Sequence, residues 1–183
     1  MSLNFANNNS LSAITTKPSG LSGGAMNLIS TQTASSSSTI SFTSGIDDTY
    51  DEYVFKFYDI HPSSDNVDFN VNFRDGGSSY DATKTTTFFY AEGEEGGSGG
   101  QISYDTGTDL AQSTSAQTII NNIGSDNDQC GAGTLHLFNP SSTTFVKHFI
   151  SRCQSIRAND RSWDNYAAGY CNVTAAIDGV QFS

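Results

Sequence analysis

Three histidines, a scatter of carboxylates, three cysteines and a single tryptophan are the residues here that could carry chemistry. His136 and His148 fall on neighbouring expected strands joined by a turn at Asn139-Pro140-Ser141-Ser142, which allows them to approach one another. A zinc ion would need a third ligand, and no carboxylate stands in register with the pair, so two structural strand histidines is the plainer reading. A hydrolytic triad needs nucleophile, base and orienting acid together. Serine is abundant, but no Gly-x-Ser-x-Gly elbow occurs, and His61 stands apart in an Ile60-His61-Pro62 turn. Carboxylates gather at Asp47-Asp48 with Asp51-Glu52, at Glu92, Glu94 and Glu95, and at Asp126-Asn127-Asp128. Oxygen-rich loops of this kind suit calcium, but none has the alternating acids and closing Glu of a dedicated loop. Solvated turn residues are expected there, with no metal and no other cofactor. The Gly93–Gly100 loop lacks the Lys-Ser/Thr ending of a phosphate loop. Paired carboxylates on matching strands, as a polysaccharide-cleaving enzyme needs, are not found. The chain is therefore expected not to be an enzyme. Trp163 and Tyr166, in or beside a polar segment from Ser155 to Asp164, are the candidate ligand contacts. Aromatic faces in sandwich loops suit sugar stacking, and a host-surface glycan is the candidate ligand. The competing reading has the same two rings covering the end of the sandwich.

Cys130, Cys153 and Cys171 are odd in number and lack a Cys-x-x-Cys spacing, which disfavours a zinc site and a fully paired set. Buried free thiols are expected, with a Cys153–Cys171 bridge as the alternative.

The elements that must position these residues read as strands. Between Tyr50 and Arg74 the second half alternates: Val67, Phe69, Val71 and Phe73 against Asp68, Asn70, Asn72 and Arg74. That is the period of a half-buried strand. The first half, Glu52 to Ile60, is apolar on both faces, so the stretch predicts an antiparallel pair with its first strand the more buried. Further strands are predicted at Met26–Thr33, Ser38–Ser44, Tyr80–Tyr90, Gln101–Tyr104, Gly133–Phe138, Thr143–Cys153, Tyr166–Thr174 and Ile177–Phe182. Asp75-Gly76-Gly77 is a hairpin signal. Leu110–Ile123 is the one helix candidate, with Ala116, Ile119, Ile120 and Ile123 on one face and Gly124 as a stop; a bulged strand is its competitor. Regularly spaced strands with turn residues between them predict an all-β, antiparallel β-sandwich of jelly-roll-like topology, with one short helix at most. The expected organisation is an N-terminal arm over residues 1–25 and a sandwich domain over residues 26–183. An arm this poor in apolar residues cannot bury enough surface to order itself. It is expected to be held by the domain's own surface or a neighbouring chain, which points to assembly.

Composition agrees. Of 183 residues, 36% are hydrophobic and only 15% charged, so polarity rests on Ser, Thr, Asn, Gln and Gly. Twelve Phe and eight Tyr suit pleated, half-buried surfaces. A net charge of −11 disfavours nucleic acid as a partner, since phosphate affinity comes from Lys and Arg. No apolar run is long enough for a membrane helix. Met1-Ser2-Leu3-Asn4-Phe5 has no signal-peptide features, so synthesis in a cytoplasm is expected.

The segments Gly24–Thr31, Thr39–Phe42, Gly45–Tyr53, Ile60-His61-Pro62, Phe73–Tyr80 and Leu135–Pro140 together resemble virion structural proteins of marine tailed bacteriophages. The likeness covers roughly residues 20 to 183. It implies a β-sandwich component of a phage particle, such as a head decoration protein, a head fibre or a tail-associated fibre. Its implied partners are other virion proteins and further copies of itself, and it carries over no catalytic or ligand residue. Lack of repeats or a shaft-like segment favours the capsid surface over a tail fibre. Members of that group often run one strand beyond the equivalent of Ala176–Phe182, whereas this chain stops at Ser183, which leaves the strand count open.

Overall fold

The computed structural model describes residues 26–97 and 99–183. The chain divides after Thr31, and the sandwich is the compact unit Gln32–Ser183. Its strands are β1 (Ile40–Phe42), β2 (Glu52–Ile60), β3 (Val67–Arg74), β4 (Lys84–Glu94), β5 (Gly100–Tyr104), β6 (Gln117–Ile123), β7 (Gly131–Phe138), β8 (Lys147–Ile156), β9 (Arg161–Cys171) and β10 (Gly179–Phe182). They form a four-stranded sheet, β1-β10-β3-β6, and a six-stranded sheet, β2-β7-β8-β9-β4-β5. Every pairing is antiparallel.

The order is that of an eight-stranded jelly roll with one hairpin added. Without β8 and β9, the larger sheet would read β2-β7-β4-β5 and face β1-β10-β3-β6. A two-strand insertion keeps β7 and β4 antiparallel to their neighbours, as the alternation of strand direction requires.

The predicted Tyr50–Arg74 hairpin is not formed. β2 pairs with β7 in one sheet, while β3 pairs with β10 and β6 in the other. Period-two alternation reports which face is buried, not which strand lies alongside. Here the two apolar faces meet across the core instead, with Phe57 and Phe69 edge-on at 5.2 Å. The order of burial also reverses. Val71 and Phe73 of β3 are fully buried, whereas Glu52, Lys56 and Tyr58 of β2 are exposed. The Asp75–Ser79 turn likewise carries the chain from one sheet to the other. Gly76 and Gly77 sit at φ +98° and +79°, the backbone region glycine enters without penalty.

The helix candidate is also overturned, in favour of its competitor. Residues 117–123 are strand β6, with register shifts against β3 and Asn122 at φ 53°. The shifts let Ile119, Ile120 and Ile123 all be buried. Thr118, Ile119, Ile120 and Ile123 are β-branched and lose side-chain freedom in a helix, and β3 offers them a ladder. Met26–Thr33 forms no strand; Met26, Leu28 and Ile29 are exposed. The expected polar loop from Ser155 shrinks to residues 157–160, closed by Asp160 N–H donating to the Arg157 carbonyl at 3.0 Å.

The core gathers at the four-stranded sheet's short last strand. Phe182 packs against Phe57 at 4.9 Å, Phe55 at 5.4 Å, Phe69 at 5.6 Å and Phe42 at 6.2 Å. Burying one such ring contributes about 1.5–3 kcal/mol.

Candidate interaction surface

Strand alternation sorts the six-stranded sheet into two faces. In β8, Lys147, Phe149, Ser151, Cys153 and Ser155 point inward, while His148, Ile150, Arg152 and Gln154 point out. The outward residues align across strands. Thr134 lies opposite Arg152, Arg152 opposite Tyr166, Tyr166 opposite Phe89, and Phe89 opposite Tyr104. This rung is tightly coupled. Arg152 donates to both Asp164 carboxylate oxygens, at 3.1 and 2.7 Å, and its guanidinium lies 5.1 Å above the Tyr166 ring. Tyr166 donates its hydroxyl to Asp164 Oδ2 at 2.8 Å and stacks on Phe89 at 4.5 Å, nearly parallel. The Arg152 hydrogen bonds hold the Asp164 carboxyl below its ordinary value, and Asp164 in turn raises the Tyr166 phenol.

Around the rung the face is mixed, with Asp164, Gln154 and Thr87 beside large apolar side chains that are exposed among the described residues. Ile150 is 53% exposed, Ile102 78% and Tyr104 49%. Tyr58, on the far edge strand, is also exposed. β5 is an outer strand, regular in register and free of ionic side chains. The other long outer strands are broken. β2 has a bulge with Asp59 at φ 51°, and β6 has its own shifts. Regular uncharged edges template further pairing, whereas bulges block it.

Trp163 and Tyr166 do not form one platform. They are three residues apart on β9 and so face opposite sides of the sheet. Trp163 is 4% exposed and lies between Tyr90, stacked at 3.7 Å, and the Arg157 guanidinium at 4.0 Å. It closes one end of the core. Tyr166 is on the outer face, but Arg152 and Phe89 occupy both sides of its ring.

The other candidate groups are held by structural partners. His136 bonds Glu52 at 2.6 Å and His61 bonds the Asp126 carbonyl at 3.1 Å. His136 lies opposite Ile150 and His148 opposite Tyr170, so the two histidines do not share a rung. Glu92 and Glu94 are both paired to Arg161. With Glu95, Gly96, Asn159 and Asp160, Glu94 and Arg161 line an open cleft of about 550 Å³. Among the described residues no three metal-type ligands converge. No protein-family model matches the chain, nor does any curated protein or solved structure.

All three cysteines are free. Cys153 lies opposite Asn165, six positions from Cys171 along β9, or about 20 Å, beyond disulfide reach. Burial pushes the Cys153 thiol up to about 11 and that of Cys171 to about 12. Both therefore favour the fold while neutral. Their contribution is complete below pH 9, where unfolded thiols stay protonated, and is lost as pH rises through 11 to 12. Denaturant titrations should show a loss on the order of 5 kcal/mol across that window. A Cys153→Ala/Cys171→Ala variant should lose markedly less over the same window; an equal loss would locate the pH dependence elsewhere.

Proposed function

We propose that this chain is a non-enzymatic structural protein of a tailed-phage particle, carried on the capsid surface as a decoration or head-fibre component and assembled from several copies. The observation that carries the assembly part is the uncovered outer face of the six-stranded sheet, where Ile102, Tyr104, Phe89 and Ile150 surround the Arg152–Tyr166 pair. Large apolar side chains left exposed together on one face mark interaction sites. A rigid aromatic and Arg centre is the composition that dominates protein contacts. The phage assignment rests on the sequence resemblance. The arm of residues 1–25, expected to anchor the chain to the particle, lies outside the described residues. Host adsorption through a glycan gains no support from Tyr166, whose ring faces are already covered.

Light scattering and particle labelling test the reading together. The full chain should run as an oligomer, and Ile102→Lys/Ile150→Asp should run as a monomer with unchanged circular dichroism. Antibodies to the chain should decorate capsids in intact particles from lysed cells that express it. A monomeric wild type, or label confined to the particle-free supernatant, overturns the proposal.

A further inference from the structure

Lys84 and Lys147 are both fully buried, and neither has a carboxylate partner among the described residues. They flank Cys171 in one inward-facing row, Lys147 on β8 and Lys84 on β4. Their surroundings nevertheless differ. Lys147 Nζ donates to three backbone carbonyls, those of Ser142, Val173 and Ala175, which matches the three N–H groups of an ammonium. Lys84 Nζ has two acceptors, the Ala82 carbonyl at 2.9 Å and the side-chain Oδ1 of Asn72 at 2.5 Å. Two acceptors match a neutral amine, which has two N–H groups and a free lone pair. Burial acts the same way and brings the Lys84 ammonium down to about 8.

The Asn72 amide is arranged as an electrophile. Its Oδ1 accepts from Lys84 and also from the Phe73 backbone N–H at 3.1 Å, and its Nδ2 donates to the Thr114 carbonyl at 3.2 Å. Once the Lys84 amine turns to attack the carbon, the Phe73 N–H remains on the oxygen to stabilise the negative charge it gains. With a C=O bond of about 1.2 Å, Nζ lies no farther than about 3.7 Å from Asn72 Cγ, close to the separation from which bond formation proceeds.

We propose that Lys84 and Asn72 join as a covalent amide that ties the two sheets together. The Nζ–Cγ bond forms and the Cγ–Nδ2 bond breaks. One Nζ hydrogen passes to Nδ2, which leaves as ammonia, and the other remains on the new amide. No oxidant or external acyl donor is needed. The transferred proton reaches Nδ2 through solvent, which has access to the Asn72 amide. In the product the remaining N–H still faces the Ala82 carbonyl and Oδ1 still faces Phe73 N–H, while the Thr114 carbonyl gives up its Nδ2 donor at an exposed position where water replaces it. Asn72 is on β3 and Lys84 on β4, so the bond crosses between sheets. Lys147 has no side-chain amide against it and stays a free lysine.

Mass spectrometry of the full-length protein, incubated near pH 8.5, decides the matter. The expected intact mass is one ammonia below that of the sequence, after allowing for removal of Met1. Trypsin should fail to cut after Lys84, and peptide 57–74 should emerge branched onto peptide 75–147. Asn72→Ala and Lys84→Met should each restore the full mass. Asn72→Asp should close to the wild-type product mass, since loss of water from a carboxyl leaves the identical amide. A wild-type protein at its full sequence mass, cut normally after Lys84, overturns the proposal without need of any variant.

Discussion

Phe182→Ala should destabilise the protein by about 4 kcal/mol, the largest loss expected from any single core truncation. Phe182 is 3% exposed and touches rings from both sheets: Phe69 of β3, Phe55 and Phe57 of β2, and Phe42 of β1. Truncation would remove four ring contacts and leave a cavity whose walls belong to several strands, which limits collapse. β10 has only four residues, yet it lies between β1 and β3 and joins both. Just beyond it, Ser183 and Asn70 exchange backbone hydrogen bonds at 3.2 and 2.8 Å. A lowered denaturant midpoint with an unchanged slope is the expected signature. Phe145, 70% exposed, is the matched control, and its truncation should change stability by no more than about 0.5 kcal/mol. Equal effects at the two positions would mean that the ring cluster does not hold the sheets together.

Lys147→Met should cost about 3 kcal/mol or more, although methionine fills much the same volume. The substitution takes the donor from the part-buried carbonyls of Ser142, Val173 and Ala175, and each hydrogen bond lost from a charged group costs about 1.5–3 kcal/mol. The effect has a pH signature. Burial lowers the Lys147 ammonium, so the unfolded chain binds the proton more tightly than the folded one. Wild type should therefore gain stability as pH rises from the folded-state value towards the ordinary 10.5. The Met variant should lack that contribution, so the stability gap should widen with pH across this window. A constant gap would show that packing, rather than the buried amine, accounts for the loss.

Much of the fold is legible in the sequence because it is one-dimensional information. The alternation of Val67, Phe69, Val71 and Phe73 identifies both the strand and its buried face. Gly76 and Gly77 mark a change of direction. What alternation cannot encode is the partner. Whether β2 and β3 pair or face one another depends on β7 and β10, more than sixty residues further on. The helix at Leu110–Ile123 is suggested because Ala116, Ile119, Ile120 and Ile123 fit a helical face; a register shift buries the three isoleucines on a strand, with Ala116 left just outside it. The surface rung was within reach. In Thr87-Phe88-Phe89-Tyr90 alternation alone sends Phe89 to the face opposite Phe88 and Tyr90. It also separates Trp163 from Tyr166, which grouping by chemistry had joined. The contact between Asn72 and Lys84 has no local signal at all, because it arises where two sheets meet.

The added hairpin of β8 and β9 constrains how such a fold can grow. Strand direction alternates across the six-stranded sheet, so an insertion between β7 and β4 must come in steps of two strands, about 10 Å each. A single extra strand would force a parallel neighbour and a long crossover connection. Lineages built on this architecture should therefore differ by whole hairpins, with the four-stranded sheet held constant. Because the pair is inserted between β7 and β4 rather than at an edge, each step broadens the outer face at its middle, where Ile150, Arg152 and Tyr166 stand. A change in hairpin number would thus resize the contact surface while leaving the edge strands and the aromatic cluster around Phe182 where they are.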